Sequence, residues 1–402
     1  MAKTRLVVVG NGMAGLRFLE EVTALAPDRF GITVIGEEAG PAYNRVLLSP
    51  LLAGEISAAD VCMRPRDWYV QNQIALISGV AARELDPASR TVKLADGGCV
   101  DFDVCVLATG SEPIRLKVPG AALNGVEVFR ALSDVDRLLR CAGARRRAVV
   151  IGGGLLGIEA AYGLKRAGAD VTLVHLMDRL MERQLDYTAA ALLKEALESK
   201  GIEVLLGAAT TRIEGRESVE RLILNDGRCI PASLIVMAIG IRPRIDLVHK
   251  TAIRCHRGIS VNDRMQTSVP GIFAIGECAD HRGIVYGLVE PAYEQARVAA
   301  HAICGRDAVY QGSVLSTNLK VSGVPVFSAG DFDGIGAEHV VLRDEPGGSY
   351  RKFVIREGRL AGVVMIGDTA DALWYCDLIR SGRDLSPFRA SLPFGRAYAE
   401  AA

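Results

Sequence analysis

The sequence predicts an α/β fold: a strand–turn–helix–strand unit of the parallel-sheet kind occurs twice, and a smaller α+β segment follows. Three observations carry this. An aliphatic run ends in Gly-x-Gly-x-x-Gly at Gly10 and again at Gly152, 142 residues apart. Each glycine cluster opens a stretch with helical spacing of apolar residues, and a second aliphatic run follows it. The length of 402 residues suits two or three domains at roughly 150 residues each.

Composition narrows the class before any motif is read. Half the residues are apolar and 23% are charged, which supplies substantial cores and argues against disorder. Lys+Arg and Asp+Glu are both 47, so no net charge draws the chain to nucleic acid or an anionic membrane. The one basic run, Arg145-Arg146-Arg147, precedes an aliphatic strand and reads as a solvated loop. The start, Met1-Ala2-Lys3-Thr4, leads directly into the first strand with no separate apolar leader. The longest charge-free apolar stretches, such as 234–241 and 148–158, fall well short of the ~20 residues that span a bilayer. The expectation is a soluble, cytoplasmic protein without nucleic-acid or membrane partners. Nine cysteines show no C-x-x-C, C-x4-C or H-x3-C spacing, so no metal site is expected and they read as scattered reduced core thiols.

The first unit runs Arg5-Leu6-Val7-Val8-Val9 into Gly10-Asn11-Gly12-Met13-Ala14-Gly15. A continuous β-branched run suits a strand buried on both faces. Gly10 allows the tight turn, Gly12 lets a pyrophosphate approach the backbone, and Gly15 lets helix pack on strand. The anion then rests on the unpaired N–H groups of the helix read from Leu16 to Val22, with Met13 and Ala14 among the cradle residues. A second strand, 31–36, ends in Glu37 and Glu38, acceptors for a ribose diol.

The second unit repeats the pattern with Gly152, Gly154, Leu155, Leu156 and Gly157, and its helix stops at Ala167-Gly168. Its second strand, 170–174, is followed by His175 instead of an acid. An acid there favours the free 2′-hydroxyl of NADH and a basic cluster the 2′-phosphate of NADPH. His175, with Arg179 and Arg183 downstream, decides neither. Two cradles imply two nucleotides held together, most simply a nicotinamide and a flavin; two NAD sites or a degenerate repeat is the competing reading. Two further buried strands end in small turns, at Ala108-Thr109-Gly110 and at Gly240, where the chain leaves each nucleotide unit.

The paired cradles, Ala108-Thr109-Gly110 and the segment Gly271-Ile272-Phe273-Ala274-Ile275-Gly276-Glu277-Cys278-Ala279 together resemble the pyridine nucleotide-disulfide oxidoreductase superfamily, the flavoproteins with two dinucleotide-binding domains. Within it, residues 42–55, 175–186, 317–323 and 367–375 most resemble the flavoprotein part of assimilatory NAD(P)H–nitrite reductase large subunits and the electron-transfer subunits of assimilatory nitrate reductases.

The resemblance implies an α/β chain of two Rossmann-like dinucleotide-binding domains plus a smaller α+β C-terminal interface domain. Residues 1–112 and 241–320 would form a discontinuous FAD-binding domain, 113–240 the NAD(P)H-binding domain, and 321–402 the interface domain, which often mediates homodimers. Gly10, Gly12, Gly15, Glu37, Arg45 and Thr109 would surround FAD, with Ser49 and Pro50 standing where an oxidase branch carries a redox cysteine. Glu277 would accept from the ribityl chain. Val289, Glu290 and Pro291 would open a helix facing the flavin N1–C2=O edge; read from residues alone it is ordinary core-covering structure. Glu159 would meet the nicotinamide carboxamide, against the alternative of a simple first-turn charge. Lys320 and Trp374 would lie near the flavin cleft, against surface charge and core aromatic.

The departures from the family shape the mechanism. There is no disulfide-reducing C-x4-C pair, and full nitrite reductase subunits continue into iron–sulfur and sirohaem segments that this sequence lacks. The expected function is therefore an FAD-dependent NAD(P)H oxidoreductase that hands electrons to a separate redox protein and does not itself reduce nitrite. The acceptor would be a nitrate or nitrite reductase subunit. The rivals are a reductase of rubredoxin, ferredoxin or a haem protein, a peroxide-forming oxidase, and a catalytically silent flavin-binding regulatory protein.

Overall fold

The computed structural model describes residues 3–143, 146–319, 323–344 and 347–401. The chain folds into two compact units, one from residues 1–47, 57–112 and 241–313, the other from 48–56, 113–240 and 314–402. The nine residues Leu48–Ile56 thus cluster with the second unit although their neighbours on both sides belong to the first.

In the first unit a five-stranded parallel sheet runs Ile272–Ala274, Val104–Leu107, Thr4–Val9, Phe30–Gly36, Ile74–Ser78 across its width. Thr4–Val9 is central, and its alternate residues feed two cores. Leu6 and Val8 pack with Leu16, Phe18 and Leu19 of the helix Met13–Leu25, while Val7 and Val9 pack with Leu85, Val92 and Phe102. Burial on both faces is why the strand reads as an unbroken apolar run. Each such side chain contributes roughly 1.5–3 kcal/mol. Helix Met13–Leu25 packs on helix Val289–Ile303, and a three-stranded antiparallel sheet is inserted at Ala82–Asp86, Thr91–Leu94 and Cys99–Asp101.

The second unit repeats this plan. Its parallel sheet runs Val126–Val128, Leu234–Met237, Arg147–Ile151, Asp170–Val174, Ile202–Leu205, with helix Leu155–Arg166 after the central strand. Its own antiparallel insertion is Thr210–Gly215, Val219–Leu224 and Cys229–Pro231. The same unit carries a five-stranded antiparallel sheet, ordered Ser316–Leu319, Val326–Gly330, Arg359–Ile366, Ser349–Arg356, Glu338–Asp344, backed by helix Ala372–Ser381. This sheet takes its first strand from upstream of residue 321. Trp374 packs on the rings of Tyr375 and Phe388 within that core, at 4.9 and 6.1 Å.

One expectation, that of core thiols, needs correcting. Only Cys105, Cys278 and Cys376 are buried; Cys62, Cys99, Cys229 and Cys255 are exposed. Cys99 and Cys229 begin equivalent short strands of the two antiparallel insertions, which lie outside the parallel cores. Helix Ala372–Ser381 starts after Asp371, which takes a left-handed conformation (φ 60°) at its N-cap. Among the described residues, no helix is long and apolar enough to cross a membrane.

Two glycine cradles and their acids form the candidate functional site

The first cradle follows from backbone sterics. Gly10 has φ +117°, and a Cβ there would lie 2.0 Å from the Ala108 carbonyl oxygen. A Cβ on Gly15 would lie 2.1 Å from the Gly10 carbonyl oxygen, whereas Gly12 faces open space. Only glycine permits the first two approaches, and the third leaves the backbone free to meet a ligand. Helix Met13–Leu25 begins with no side-chain cap and no acid in its first turn, so its leading N–H groups and dipole face that space uncompensated. Asn11 Nδ2 is buried beside them without a hydrogen-bond partner, while its Oδ1 accepts from the Tyr69 hydroxyl at 3.0 Å. An orphan donor next to uncapped helix amides fits a phosphate group.

The acids lie where the second strand ends. Glu38 accepts from Arg45 and from the Tyr43 hydroxyl (2.6 Å), and Glu37 pairs with Arg244. Burial works against the Arg45 charge, but Tyr43, Glu38 and Glu277 more than offset it and hold its pKa above the usual value. Arg244 ties two predicted positions together, since its carbonyl accepts from Thr109 Oγ1 at 2.8 Å and its amide donates to the Gly110 carbonyl at 2.9 Å. An open groove beside Glu37 is lined by Gly79, Val80, Ala81 and Arg83.

Gly276 and Glu277 form a single 3₁₀ turn with Cys278. The Ser111 hydroxyl donates to Glu277 Oε2 at 2.8 Å. Gly276 N–H donates to Gln295 Oε1 at 2.7 Å, which fixes the turn to helix Val289–Ile303. That helix begins at Val289, with Glu290 and Pro291 in its first turn; Pro291 lacks the N–H that a first turn would leave unpaired. Gln295 is fully buried and its Nε2 finds no partner. Sequence reasoning missed Asn11, Ser111, Arg244 and Gln295. Their partners lie from 19 to 166 residues away along the chain, so no local pattern announces them.

The second cradle has the same steric logic. Gly152 has φ +118°, with a hypothetical Cβ 2.3 Å from the Ala238 carbonyl oxygen; one on Gly157 would lie 1.8 Å from the Gly152 carbonyl oxygen, and Gly154 is open. Leu155 and Leu156 start the helix, again with no cap and no first-turn acid. Gly240 stands at φ +121° and its carbonyl accepts from Ile114 N–H at 3.0 Å.

His175, the candidate at the end of the second strand, is built into the turn. It is buried, its Nδ1 accepts the Gly153 N–H at 3.0 Å, and its Nε2 meets Glu182 Oε2 at 3.1 Å. Both ring nitrogens are thus engaged in holding the turn, and the neutral tautomer carries its proton on Nε2. Register sets which residues of the two strand ends correspond. Gly10 and Gly152 N–H donate to Ile35 and Val174 respectively, so His175 matches Gly36, and Leu176 matches Glu37.

Glu159 is no first-turn surface charge: it lies in the second turn and is buried. The Ser49 hydroxyl donates to its Oε2 at 2.6 Å, and burial pushes its carboxyl up to about 7, with the Ser49 hydrogen bond pulling the other way. Ser49 and Pro50 lie on the short helix Leu48–Leu52, which packs on Leu155–Arg166 close enough that a Cβ on Gly163 would meet Leu52 at 2.7 Å. Lys320 lies outside the described residues.

Comparison with known proteins agrees with this geometry. The family described as "Pyridine nucleotide-disulphide oxidoreductase" matches residues 4–302, and "Rubredoxin NAD+ reductase C-terminal domain" matches residues 316–383. The nitrite reductase [NAD(P)H] of Bacillus subtilis (strain 168) is 46% identical over 388 residues, covering 96% of this chain and 48% of that protein. The assimilatory nitrate reductase electron transfer subunit of the same strain is 43% identical over 388 residues, covering 96% and 50%. The chain therefore spans about half the length of these curated relatives. The reductase in the covalent putidaredoxin reductase–putidaredoxin complex superposes with a TM-score of 0.88 at 26% identity, covering 95% of this chain and 94% of that one. The fold is that of reductases with two dinucleotide-binding domains, and the chain belongs to the pyridine nucleotide-disulphide oxidoreductase family.

Proposed function

We propose that this chain is an FAD-dependent NAD(P)H oxidoreductase that passes electrons from the nicotinamide, through FAD, to a separate redox protein, in cytoplasmic nitrate or nitrite assimilation. The observation that carries the reading is the pair of sterically equivalent cradles in one chain, each with an open middle glycine and an uncapped helix. The first unit is the FAD-binding part and the Gly152 cradle belongs to the NAD(P)H-binding part. Similarity to the nitrite reductase and to the nitrate reductase electron transfer subunit supports the assimilatory setting.

FAD, when bound, supplies the chemistry of taking two electrons as a hydride from a reduced nicotinamide and releasing them to an acceptor. The residues of this chain bind and orient. The N–H groups after Gly12, with Asn11 Nδ2, receive the FAD pyrophosphate, and Glu37 or Glu38 accepts from the ribose hydroxyls. Glu277, aligned by Ser111 and by the Gly276–Gln295 bond, accepts from the ribityl chain. The N-terminus of helix Val289–Ile303 lends its positive dipole end to negative charge on the ring. Glu159, set by Ser49, holds the carboxamide of the nicotinamide. Positioning is the contribution of these residues.

The acceptor is the open half of the reading. The match of residues 316–383 to a rubredoxin reductase C-terminal domain favours a second one, in which a rubredoxin, ferredoxin or haem protein takes the electrons. Stopped-flow mixing of the reduced flavoprotein with a nitrite reductase sirohaem module, a rubredoxin and a ferredoxin separates the two. Rapid reoxidation by the sirohaem partner alone supports assimilation. Rapid reoxidation by rubredoxin or ferredoxin moves the protein to the second reading. A flavin reduced by nicotinamide that none of these nor any artificial acceptor reoxidises points to a regulatory flavoprotein.

A further inference from the structure

The corner beside the second cradle bears on which nicotinamide nucleotide the protein takes. The segment after strand Asp170–Val174 does not run out into solvent; it folds back onto Gly153. Gly153 N–H donates to His175 Nδ1, and the Gly153 carbonyl accepts the Met181 N–H at 2.9 Å. Met181 takes φ +48° to make that turn. Both backbone groups of one cradle residue are therefore spent on residues 175–181. The next residue, Glu182, is brought to the cradle mouth, where its Oε2 meets His175 Nε2 at 3.1 Å.

Two carboxylates and two guanidiniums share this corner, with Arg179 Nη1 3.8 Å from Asp178 Oδ1. Glu182 and Asp178 present carboxylates. Arg179 is committed elsewhere: its Nε and Nη donate to the carbonyls of Leu185 and Glu182, and its guanidinium stacks 4.4 Å from the Tyr187 ring centroid. Arg183 points into solvent with 86% of its side chain exposed, its Nε 3.9 Å from Glu182 Oε1. His175 has both ring nitrogens engaged, Nδ1 with Gly153 N–H and Nε2 with Glu182 Oε2. Leu176 and Met177, which follow it, are exposed apolar side chains suited to an adenine or ribose face.

We propose that this corner makes the protein selective for NADH over NADPH, with Glu182 the specificity-determining residue. The inference rests on the reading of the Gly152 cradle as the nicotinamide nucleotide's. A ribose diol donates hydrogen bonds to the Glu182 carboxylate. A 2′-phosphate brings about two further negative charges against that carboxylate, which already draws the nearby Arg183.

The test uses the FAD-loaded protein and the oxidised nucleotides, which leave the flavin oxidised, with dissociation constants read by equilibrium dialysis. NADP+ is expected to bind at least about tenfold more weakly than NAD+. Glu182→Arg is expected to narrow that gap at least about fivefold, and Glu182→Gln, which keeps the size and the hydrogen bond from His175, to narrow it partly. Wild-type protein that binds NADP+ as tightly as NAD+ overturns the proposal. So does a gap that neither variant moves. If neither nucleotide binds wild-type protein, the cradle is no nicotinamide site, and the reading beneath falls with the selectivity.

Discussion

Glu159 is the residue whose environment and expected role are most at odds with a surface reading. Its carboxyl titrates near 7 instead of 4.5 because burial disfavours its charge. A raised acid pKa means that the native state binds the proton more tightly than the unfolded chain does. The destabilisation from ionising it is therefore absent below pH 4.5, grows between 4.5 and 7, and is complete above 7. Glu159→Gln keeps an acceptor for Ser49 and removes the charge. Thermal melts across pH should show it more stable than wild type by about 3 kcal/mol above pH 7, with the difference vanishing below pH 4.5. Equal melts at every pH would contradict the burial argument. The glycines give a second contrast. Gly157→Ala puts a methyl 1.8 Å from the Gly152 carbonyl and should abolish nicotinamide nucleotide binding while flavin content stays; Gly10→Ala should give a protein without flavin.

Elements show where local sequence stopped being informative. The cradles were legible because close backbone approach and positive φ leave only glycine, so three residue identities encode the geometry. Helix Leu48–Leu52 was not, since five residues hold too little pattern to reveal that they join the second unit. The Ser49–Glu159 bond spans 110 residues and equally has no local signature. The burial of His175 has no local signature either, since it depends on the returning segment at Met181. Helix Tyr187–Ser199 adds a testable junction. Its N-cap Asp186 accepts the Ala189 N–H (2.9 Å) and the Tyr350 hydroxyl (2.7 Å), and lies 3.6 Å from the buried Lys352 ammonium. Asp186→Ala loses a cap and the carboxylate beside that ammonium, which keeps only the carbonyls of Phe332 and Asp333, so denaturant unfolding should register about 3 kcal/mol of destabilisation. Tyr350→Phe, which removes one hydrogen bond, should cost about 1 kcal/mol. Similar costs for the two would show that the Lys352 charge does not depend on Asp186.

At the scale of the whole molecule, one plan is used twice: a parallel sheet with a glycine turn at its central strand and a three-stranded antiparallel insertion. The repetition was readable from the Gly-x-Gly-x-x-Gly spacing, and the insertions were not, because their short strands carry little apolar pattern. Duplication gives the protein two nucleotide sites of similar shape, and different acids and neighbours then adapt each to its own nucleotide. The first cradle keeps Glu37 and Glu38 at its strand end; the second replaces them with Leu176 and Met177 and recruits Glu182 from a returning loop. Hydride transfer between the two nucleotides requires both sites to be filled in one working molecule. It is tested most directly by incubating the purified protein with FAD, removing free flavin, and titrating with NADH and with NADPH under anaerobic conditions while recording the visible spectrum. The account predicts a retained flavin spectrum that one equivalent of reduced nicotinamide nucleotide bleaches. A protein that retains no flavin, or a bound flavin that neither nucleotide reduces, would contradict it.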